Sequence, residues 1–219
     1  MPNCLPPPDY VDDPVLVPLA AGTILYRVHR KNFPADSFNP VPSHRYYGGG
    51  RFDATADDAY SYLYAGETID VAIAETLLRD FVFDSTGHYV LPRTIYAGRR
   101  ISAVRTVVDL ELVGMRTRPQ LSSFAQSPWI TNCPPMEYAQ TRHWGHWIRA
   151  KAPKAAGYVW NSRQEPSLGA FVLFGDRHGG KMVEPVIDPL APSDPAADFD
   201  TDEGREALAK ILEPFRVTV

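Results

Sequence analysis

The stretch YLYAGETIDVAIAETLLRDF, residues 62–81, decides the fold. Its first four residues, Tyr62-Leu63-Tyr64-Ala65, are aromatic or apolar and predict a short strand. Thr68 or Asp70 can cap a helix that runs to about Phe81. The apolar residues of that helix recur at helical spacing, namely Val71, Ala74, Leu78 and Phe81. Glu75 lies beside this apolar stripe rather than opposite it, so we expect its carboxylate at the edge of the buried face.

Further elements are predicted on both sides of this stretch. Strands are expected at residues 23–28, 89–91, 94–96, 106–113, 157–160 and 169–174, and the last of these is apolar throughout, as in a strand covered on both faces. Helices are expected over about 137–151 and 203–213. Residues 31–50 and 114–135 are spotted with proline, glycine or serine and predict loops. Because strands and helices do not alternate regularly, the pattern favours an α+β fold.

The ends of the chain differ from its middle in composition. Residues 1–20 are proline-rich and predict an extended N-terminal segment. Residues 21–187 hold all of the predicted strands, and they are expected to form one domain. Residues 188–219 are predicted to be an acidic linker followed by a short helix, which packs on the domain or on a partner.

Composition excludes several classes of protein. The chain has 219 residues, 44% apolar and 22% charged, which is ordinary for a soluble globular domain. Its net charge of −4 provides no general attraction for nucleic acid or an anionic membrane, so we expect neither as a partner. Cys4 and Cys133 make no disulfide framework and predict reduced thiols in the cytoplasm. No apolar run approaches the roughly 20 residues of a membrane span, and no signal peptide is predicted.

Several common site motifs are missing from the sequence. The run Gly48-Gly49-Gly50 is followed by Arg51 and not by Lys-Ser/Thr, so it is not a P-loop. No GxGxxG, HExxH or GxSxG is present. His143 and His146 have the spacing of a metal-binding pair on a helix, but no third ligand stands at a defined spacing. We therefore favour ordinary histidines and predict no metal.

Four segments together resemble the RES domain family, which is named for its arginine, glutamate and serine. They are Leu25-Tyr26-Arg27-Val28; Gly49-Gly50-Arg51-Phe52 with Tyr62-Leu63-Tyr64-Ala65; Ala72-Ile73-Ala74-Glu75-Thr76-Leu77; and Gly157-Tyr158-Val159-Trp160-Asn161-Ser162-Arg163 leading into Phe171-Val172-Leu173-Phe174. The Tyr-x-x-Thr-Arg-x-Trp pattern that begins at Tyr138 also looks like the family's helix before its serine. The resemblance covers about residues 22–176.

The resemblance implies a fold and a function. It implies an ADP-ribosyltransferase-like core of mixed or antiparallel strands flanked by helices, as the catalytic domain over residues 21–187. It also implies the toxin of a bacterial toxin–antitoxin pair, which consumes NAD⁺ as a substrate by hydrolysis or phosphorolysis and needs no further cofactor. A separate antitoxin protein would be its partner, and a homo-oligomer is compatible with the sequence.

The family's motifs suggest roles for individual residues. Glu75 would stabilise the positive charge that develops on the ribose when the nicotinamide–ribose bond breaks. The alternative is a helix salt bridge from Glu75 to Arg79, at i and i+4. Arg27 and Arg51 would neutralise the diphosphate, because a guanidinium matches phosphate oxygens and the glycines let backbone N–H groups approach an anion. Ordinary surface ion pairs are the alternative for both arginines.

Two further residues complete the expected site. Tyr64 would stack on nicotinamide or bond the ribose, with Tyr62 as the second choice and core packing as the alternative. Ser162 would position the substrate and not attack it, because no histidine–aspartate pair is arranged to activate it. Asn161 and Ser167 are nearby substitutes for it. Asp53, after the glycine segment, departs from the more neutral residue that the resemblance leads us to expect.

Two other functions remain open on the sequence. An ADP-ribosyltransferase would pass the same ribosyl cation to a macromolecule. A non-catalytic module on the same scaffold would bind a nucleotide without turnover.

Overall fold

The computed structural model describes residues 12–79, 81–186 and 194–219. Its strands, in chain order, are β1 (Leu16–Leu19), β2 (Ile24–Arg30), β3 (Tyr62–Gly66), β4 (Tyr89–Val90), β5 (Arg99–Thr106), β6 (Leu110–Met115), β7 (Gly157–Asn161), β8 (Gly169–Phe174), β9 (Val183–Val186) and β10 (Val217–Thr218). Its helices are α1 (Ile69–Leu77), α2 (Arg93–Tyr96), α3 (Arg118–Ser122), α4 (Trp129–Asn132), α5 (Tyr138–Lys151) and α6 (Asp202–Leu212). Single 3₁₀ turns cover Pro135–Glu137, Pro195–Ala197 and Glu213–Phe215.

One mixed sheet organises the described chain. It has eight strands in the order β1-β6-β7-β8-β3-β2-β5-β9, and a separate parallel pair joins β10 to β4. Neighbours in the large sheet are antiparallel except β6 and β7, which run parallel. Helices flank this curled sheet, so the predicted α+β class and the ADP-ribosyltransferase-like arrangement are confirmed.

The two faces of β3 enter different cores because side chains alternate along a strand. Tyr62 and Tyr64 pack with Trp144 of α5 on one face. Leu63 packs with Leu25 and the inner residues of the neighbouring strands on the other. The all-apolar sequence of β8 follows from the same arrangement, since all six of its residues are buried. The sheet is therefore covered on both sides around β3 and β8.

Helix α1 lies close to its predicted position but ends earlier. The Thr68 side chain caps it by accepting the Val71 N–H, and Leu78 closes it, so Arg79 lies beyond the helix. Its apolar face packs in a third core that also holds Leu208 and Leu212 of α6. The C-terminal helix thus packs on the domain, and a contact with a partner stays a prediction.

Several local predictions were wrong. Residues 94–96 form the helical turn α2 and not a strand, because Pro92 starts the turn and one turn is enough to bury Tyr96. The predicted loop 114–135 contains α3, whose Thr117 and Gln120 form a capping box. Only residues 110–113 of the predicted strand over 106–113 belong to β6, Thr106 ends β5, and the rest of β5 was missed. The expected extension contributes β1 to the sheet. Residues 188–193 of the expected linker lie outside the described residues, and its described part packs on the domain through the buried Ala197 and Phe199.

Two remaining expectations concern location. No helix in the described ranges is long and apolar enough to cross a membrane. Cys133 is a buried free thiol, whereas Cys4 lies outside the described residues.

Candidate active site

Glu75 is held against the chain that follows β7. Its Oε1 accepts a hydrogen bond from Ser162 Oγ at 2.8 Å and another from the Arg163 N–H at 2.9 Å. Its Oε2 accepts no hydrogen bond from the part of the chain that the structure describes. The side chain is half-buried. The carboxylate is therefore fixed through one oxygen while the other stays available to a ligand.

Ser162 joins the end of β7 to the turn after it. Its hydroxyl is buried, donates to Glu75, and accepts the N–H groups of Gln164 at 3.3 Å and Glu165 at 3.2 Å. The serine proton is thus committed to the carboxylate, and no histidine among the described residues contacts the hydroxyl. This geometry suits a residue that positions Glu75 better than it suits a nucleophile.

Two arginines converge on the ring of Tyr138, at the start of α5. Arg51 is only 4% exposed, its guanidinium carbon lies 5.0 Å from the ring centroid, and its Nη2 donates to the Tyr138 hydroxyl at 3.4 Å. The guanidinium carbon of Arg79 lies 5.7 Å from the same centroid. Burial raises the pKa of Tyr138, against the lowering effect of both arginines, so the phenol stays neutral.

Arg51 and Arg79 bring two positive charges to the Tyr138 ring. No described carboxylate forms an ion pair with Arg51 or Arg79. The buried Nε of Arg51 has no hydrogen-bond partner there either. A buried guanidinium without a counter-charge is costly, so this pair forms a site suited to an anion.

The salt bridge that was the alternative role for Glu75 does not form among the described residues. Arg79 Nη1 donates instead to the Gly49 carbonyl at 3.3 Å, and Glu75 is held by Ser162. Arg79 therefore turns to the glycine segment and joins Arg51. Sequence reasoning missed Arg79 and Tyr138 as members of the site, although Tyr138 begins the pattern that α5 shares with the family.

The glycine segment is already occupied by an anion of the protein itself. Asp53 Oδ2 accepts the Gly50 N–H at 2.7 Å and the Ser43 hydroxyl at 2.5 Å. A Cβ on Gly50 would lie 2.4 Å from Asp53 Oδ1, and one on Gly49 would lie 2.8 Å from Oδ2. The close approach that requires glycine is therefore made by a carboxylate of the chain, and the loop delivers Arg51 to the site.

Comparison with models of protein families identifies the family of this chain. The model of the RES domain matches residues 24–200. The chain belongs to the RES domain family. A search of curated proteins found no match. Among solved structures, this RES domain is similar to a chain in the crystal structure of the M. tuberculosis MbcT–MbcA toxin–antitoxin complex, with a TM-score of 0.54 and 12% identity over 80% of this chain and 88% of that one. At this identity the likeness supports the fold alone.

Tyr64 of this RES domain supports the Asp53 loop. Its hydroxyl donates to Asp53 Oδ1 at 2.9 Å and accepts the Phe52 N–H at 2.9 Å. Burial, and then the charge of Asp53, raise the pKa of Tyr64 well above its usual value. Tyr62 is bonded to Asn39 at 2.9 Å. No hydrogen bond links either tyrosine to Glu75 within the described chain, so direct roles in the reaction stay predictions.

Arg27 lies on the other side of the sheet. Tyr26 pairs with Gly66 and so shares a face with Tyr64, which places Arg27 on the opposite face. Its Nη1 donates to the carbonyls of Ala35 and Ser37, both at 2.8 Å, and burial lowers its pKa to about 10. The structure joins Arg51 and Arg79 and does not bring Arg27 into contact with them. A binding role for Arg27 stays a prediction.

The substitutes considered for the site have structural partners. Asn161 accepts from Arg116 Nε at 2.8 Å, and the Ser167 carbonyl accepts from Arg116 Nη2 at 3.2 Å. His146 bonds the Asp53 carbonyl at 3.3 Å. His143 is exposed, and the described residues contain no group of three candidate ligands that could hold a metal.

Proposed function

We propose that this RES domain is an NAD⁺ glycohydrolase or phosphorylase, the toxin of a toxin–antitoxin pair. The observation that carries the proposal is the half-fixed carboxylate of Glu75 beside Arg51 and Arg79, since all three are close enough to the Tyr138 hydroxyl to affect its pKa. A dinucleotide with a ribosyl cation and a diphosphate complements these charges. Family membership points to the same reaction.

The proposed reaction needs no covalent enzyme intermediate. The nicotinamide–ribose bond breaks with its electron pair on the ring nitrogen, and neutral nicotinamide leaves. Glu75 Oε2 stabilises the positive charge that develops on the ribose, while Ser162 keeps the carboxylate oriented. Arg51 and Arg79 hold the diphosphate. Water then attacks and loses a proton to give ADP-ribose, or phosphate attacks to give its 1″-phosphate.

The proposal includes a separate antitoxin and a cytoplasmic location. A similar solved structure is a toxin–antitoxin complex, which supports an antitoxin as the partner of this chain. The proposed substrate is a cytoplasmic dinucleotide, and no resident cofactor or metal enters the mechanism.

The test is incubation of the purified protein with NAD⁺, with and without phosphate, followed by chromatography of the products. We expect release of nicotinamide, and the second product names the attacking group. Glu75→Gln should lower kcat by about 100-fold or more, in line with the loss of a charge-stabilising group. Glu206→Gln, the same exchange on the exposed side of α6, should leave kcat unchanged.

Other results would point elsewhere. Folded wild-type protein that releases no nicotinamide while it binds NAD⁺ would support the non-catalytic module. Labelled ADP-ribose attached to protein or nucleic acid would support the ADP-ribosyltransferase. Near-normal turnover by Glu75→Gln would remove this carboxylate from the mechanism.

A further inference from the structure

The loop before Arg51 presents aromatic rings to solvent. Tyr47 is 75% exposed, and Tyr46 is 60% exposed. The His44 ring stacks on Tyr47 with centroids 5.0 Å apart and planes 24° apart. Rings exposed to this extent add little to the core, and large exposed side chains on ordered loops commonly bind ligands. Their presence therefore calls for a binding role.

A buried arginine fixes the backbone of this loop. Arg142 is 1% exposed and donates to four carbonyl groups, at 2.8 to 3.3 Å. The acceptors are His44, Arg45, Gly48 and Gly50. No carboxylate of the described chain forms an ion pair with Arg142. The fold thus fixes the backbone of the loop while the side chains of Tyr46 and Tyr47 stay exposed. A binding surface that is ordered before its ligand arrives is built in this way.

The stacked rings stand next to the proposed diphosphate site. The Gly49 carbonyl accepts a hydrogen bond from Arg79, which lies with Arg51 on Tyr138. Tyr47 precedes Gly49 by two residues, so their Cα atoms are at most about 7.6 Å apart. In a dinucleotide, the adenosine continues from the diphosphate on the side away from the nicotinamide. The rings are therefore within reach of its base.

We propose that the ring pair of His44 and Tyr47 is the stacking platform for a purine base, the adenine of NAD⁺. This assignment rests on the proposed function. Aromatic side chains stack on bases without needing specific hydrogen bonds, because every base has a π-face. The platform would select a dinucleotide over a mononucleotide that carries the same nicotinamide–ribose bond.

The test compares two substrates with the same scissile bond, NAD⁺ and nicotinamide mononucleotide, which lacks the adenosine. For Tyr47→Ala, we expect the rise in KM for NAD⁺ to exceed the rise for the mononucleotide by about tenfold, with kcat for NAD⁺ little changed. Tyr47→Phe keeps the ring and should restore the wild-type ratio. Val41→Ala, at a 65% exposed position earlier in the same connection, is the matched control.

Equal changes for both substrates, or no change for NAD⁺, would overturn the platform and leave the proposed function intact. If the wild type cleaves neither substrate, the proposed function fails, and binding of ADP measured by calorimetry then tests the platform by itself. About tenfold weaker ADP binding by Tyr47→Ala would support it. Two results would reject a base-binding role. The first is no binding of ADP by the wild type, and the second is a Tyr47→Ala protein that binds ADP normally but has lost antitoxin binding.

Discussion

Replacing Asp53 with alanine should destabilise the protein strongly. Asp53 is 4% exposed and accepts hydrogen bonds from the Gly50 N–H, the Ser43 hydroxyl and the Tyr64 hydroxyl. A hydrogen bond to a charged group contributes about 1.5–3 kcal/mol, and a buried donor left without an acceptor costs a similar amount. Water can enter the space of the lost carboxylate and recover part of this. We expect the free energy of unfolding to fall by about 3–5 kcal/mol.

Urea unfolding of Asp53→Ala and Asp57→Ala measures this directly. The Asp57 side chain is 48% exposed and forms an ion pair with an exposed arginine, Arg45, so its loss should cost at most about 0.5–1 kcal/mol. Asp53→Asn should lie between the two, because the amide oxygen can still accept the Gly50 N–H. An Asp53→Ala protein within 1 kcal/mol of the Asp57→Ala control, at equal m-values, would refute the role of the internal anion.

Two further predictions concern the sheet and its buried histidine. A Cβ on Gly157 would lie 2.1 Å from the Val172 carbonyl oxygen, so Gly157→Ala should cost more than about 3 kcal/mol in thermal unfolding, whereas Gly179→Ala, with open space around it, should cost little. Burial, and then the charge of Arg27, lower the pKa of His29 from 6.5 to about 4. Protonation therefore favours the unfolded chain, and His29 contributes full stability above pH 6.5 and loses it as the pH falls towards 4. Between pH 7 and pH 5 the wild type should lose about 2 kcal/mol more than His29→Gln, and equal losses in denaturant unfolding would contradict this.

The fold was predictable where pattern and burial agree. The continuous apolar run of β8 and the short strand β3 lie where the sequence placed them, and the periodic helix α1 begins as predicted but ends earlier. The strand β5 was missed because Arg99, Arg100 and Arg105 interrupt its apolar alternation. Arg105 is exposed and pairs with Glu184 of β9, whereas Arg99 and Arg100 are half-buried, and local sequence does not reveal these environments.

The sequence was enough to name individual candidate site residues, but it did not predict how they are arranged. Glu75 and Ser162 are 87 positions apart, and only the packing of α1 beside the end of β7 puts them in contact. Helical spacing favoured a Glu75–Arg79 pair, yet a tertiary contact with Gly49 directs Arg79 elsewhere. An i, i+4 pair contributes only about 0.3–0.5 kcal/mol, so such a contact easily overrides it.

The glycine segment binds an anion of the protein itself, which the sequence analysis did not foresee. The glycines do allow a backbone N–H to approach an anion closely, but that anion is Asp53. The Asp53 carboxylate accepts the Gly50 N–H and forms no ion pair with Arg51. The guanidinium of Arg51 therefore stays available to an anionic ligand. The backbone of Arg51 is fixed as well, because Thr141 donates to its carbonyl at 2.9 Å. The loop therefore holds Arg51 in place, and in the proposed function the diphosphate is bound by the arginine side chains and not by the Gly50 amide.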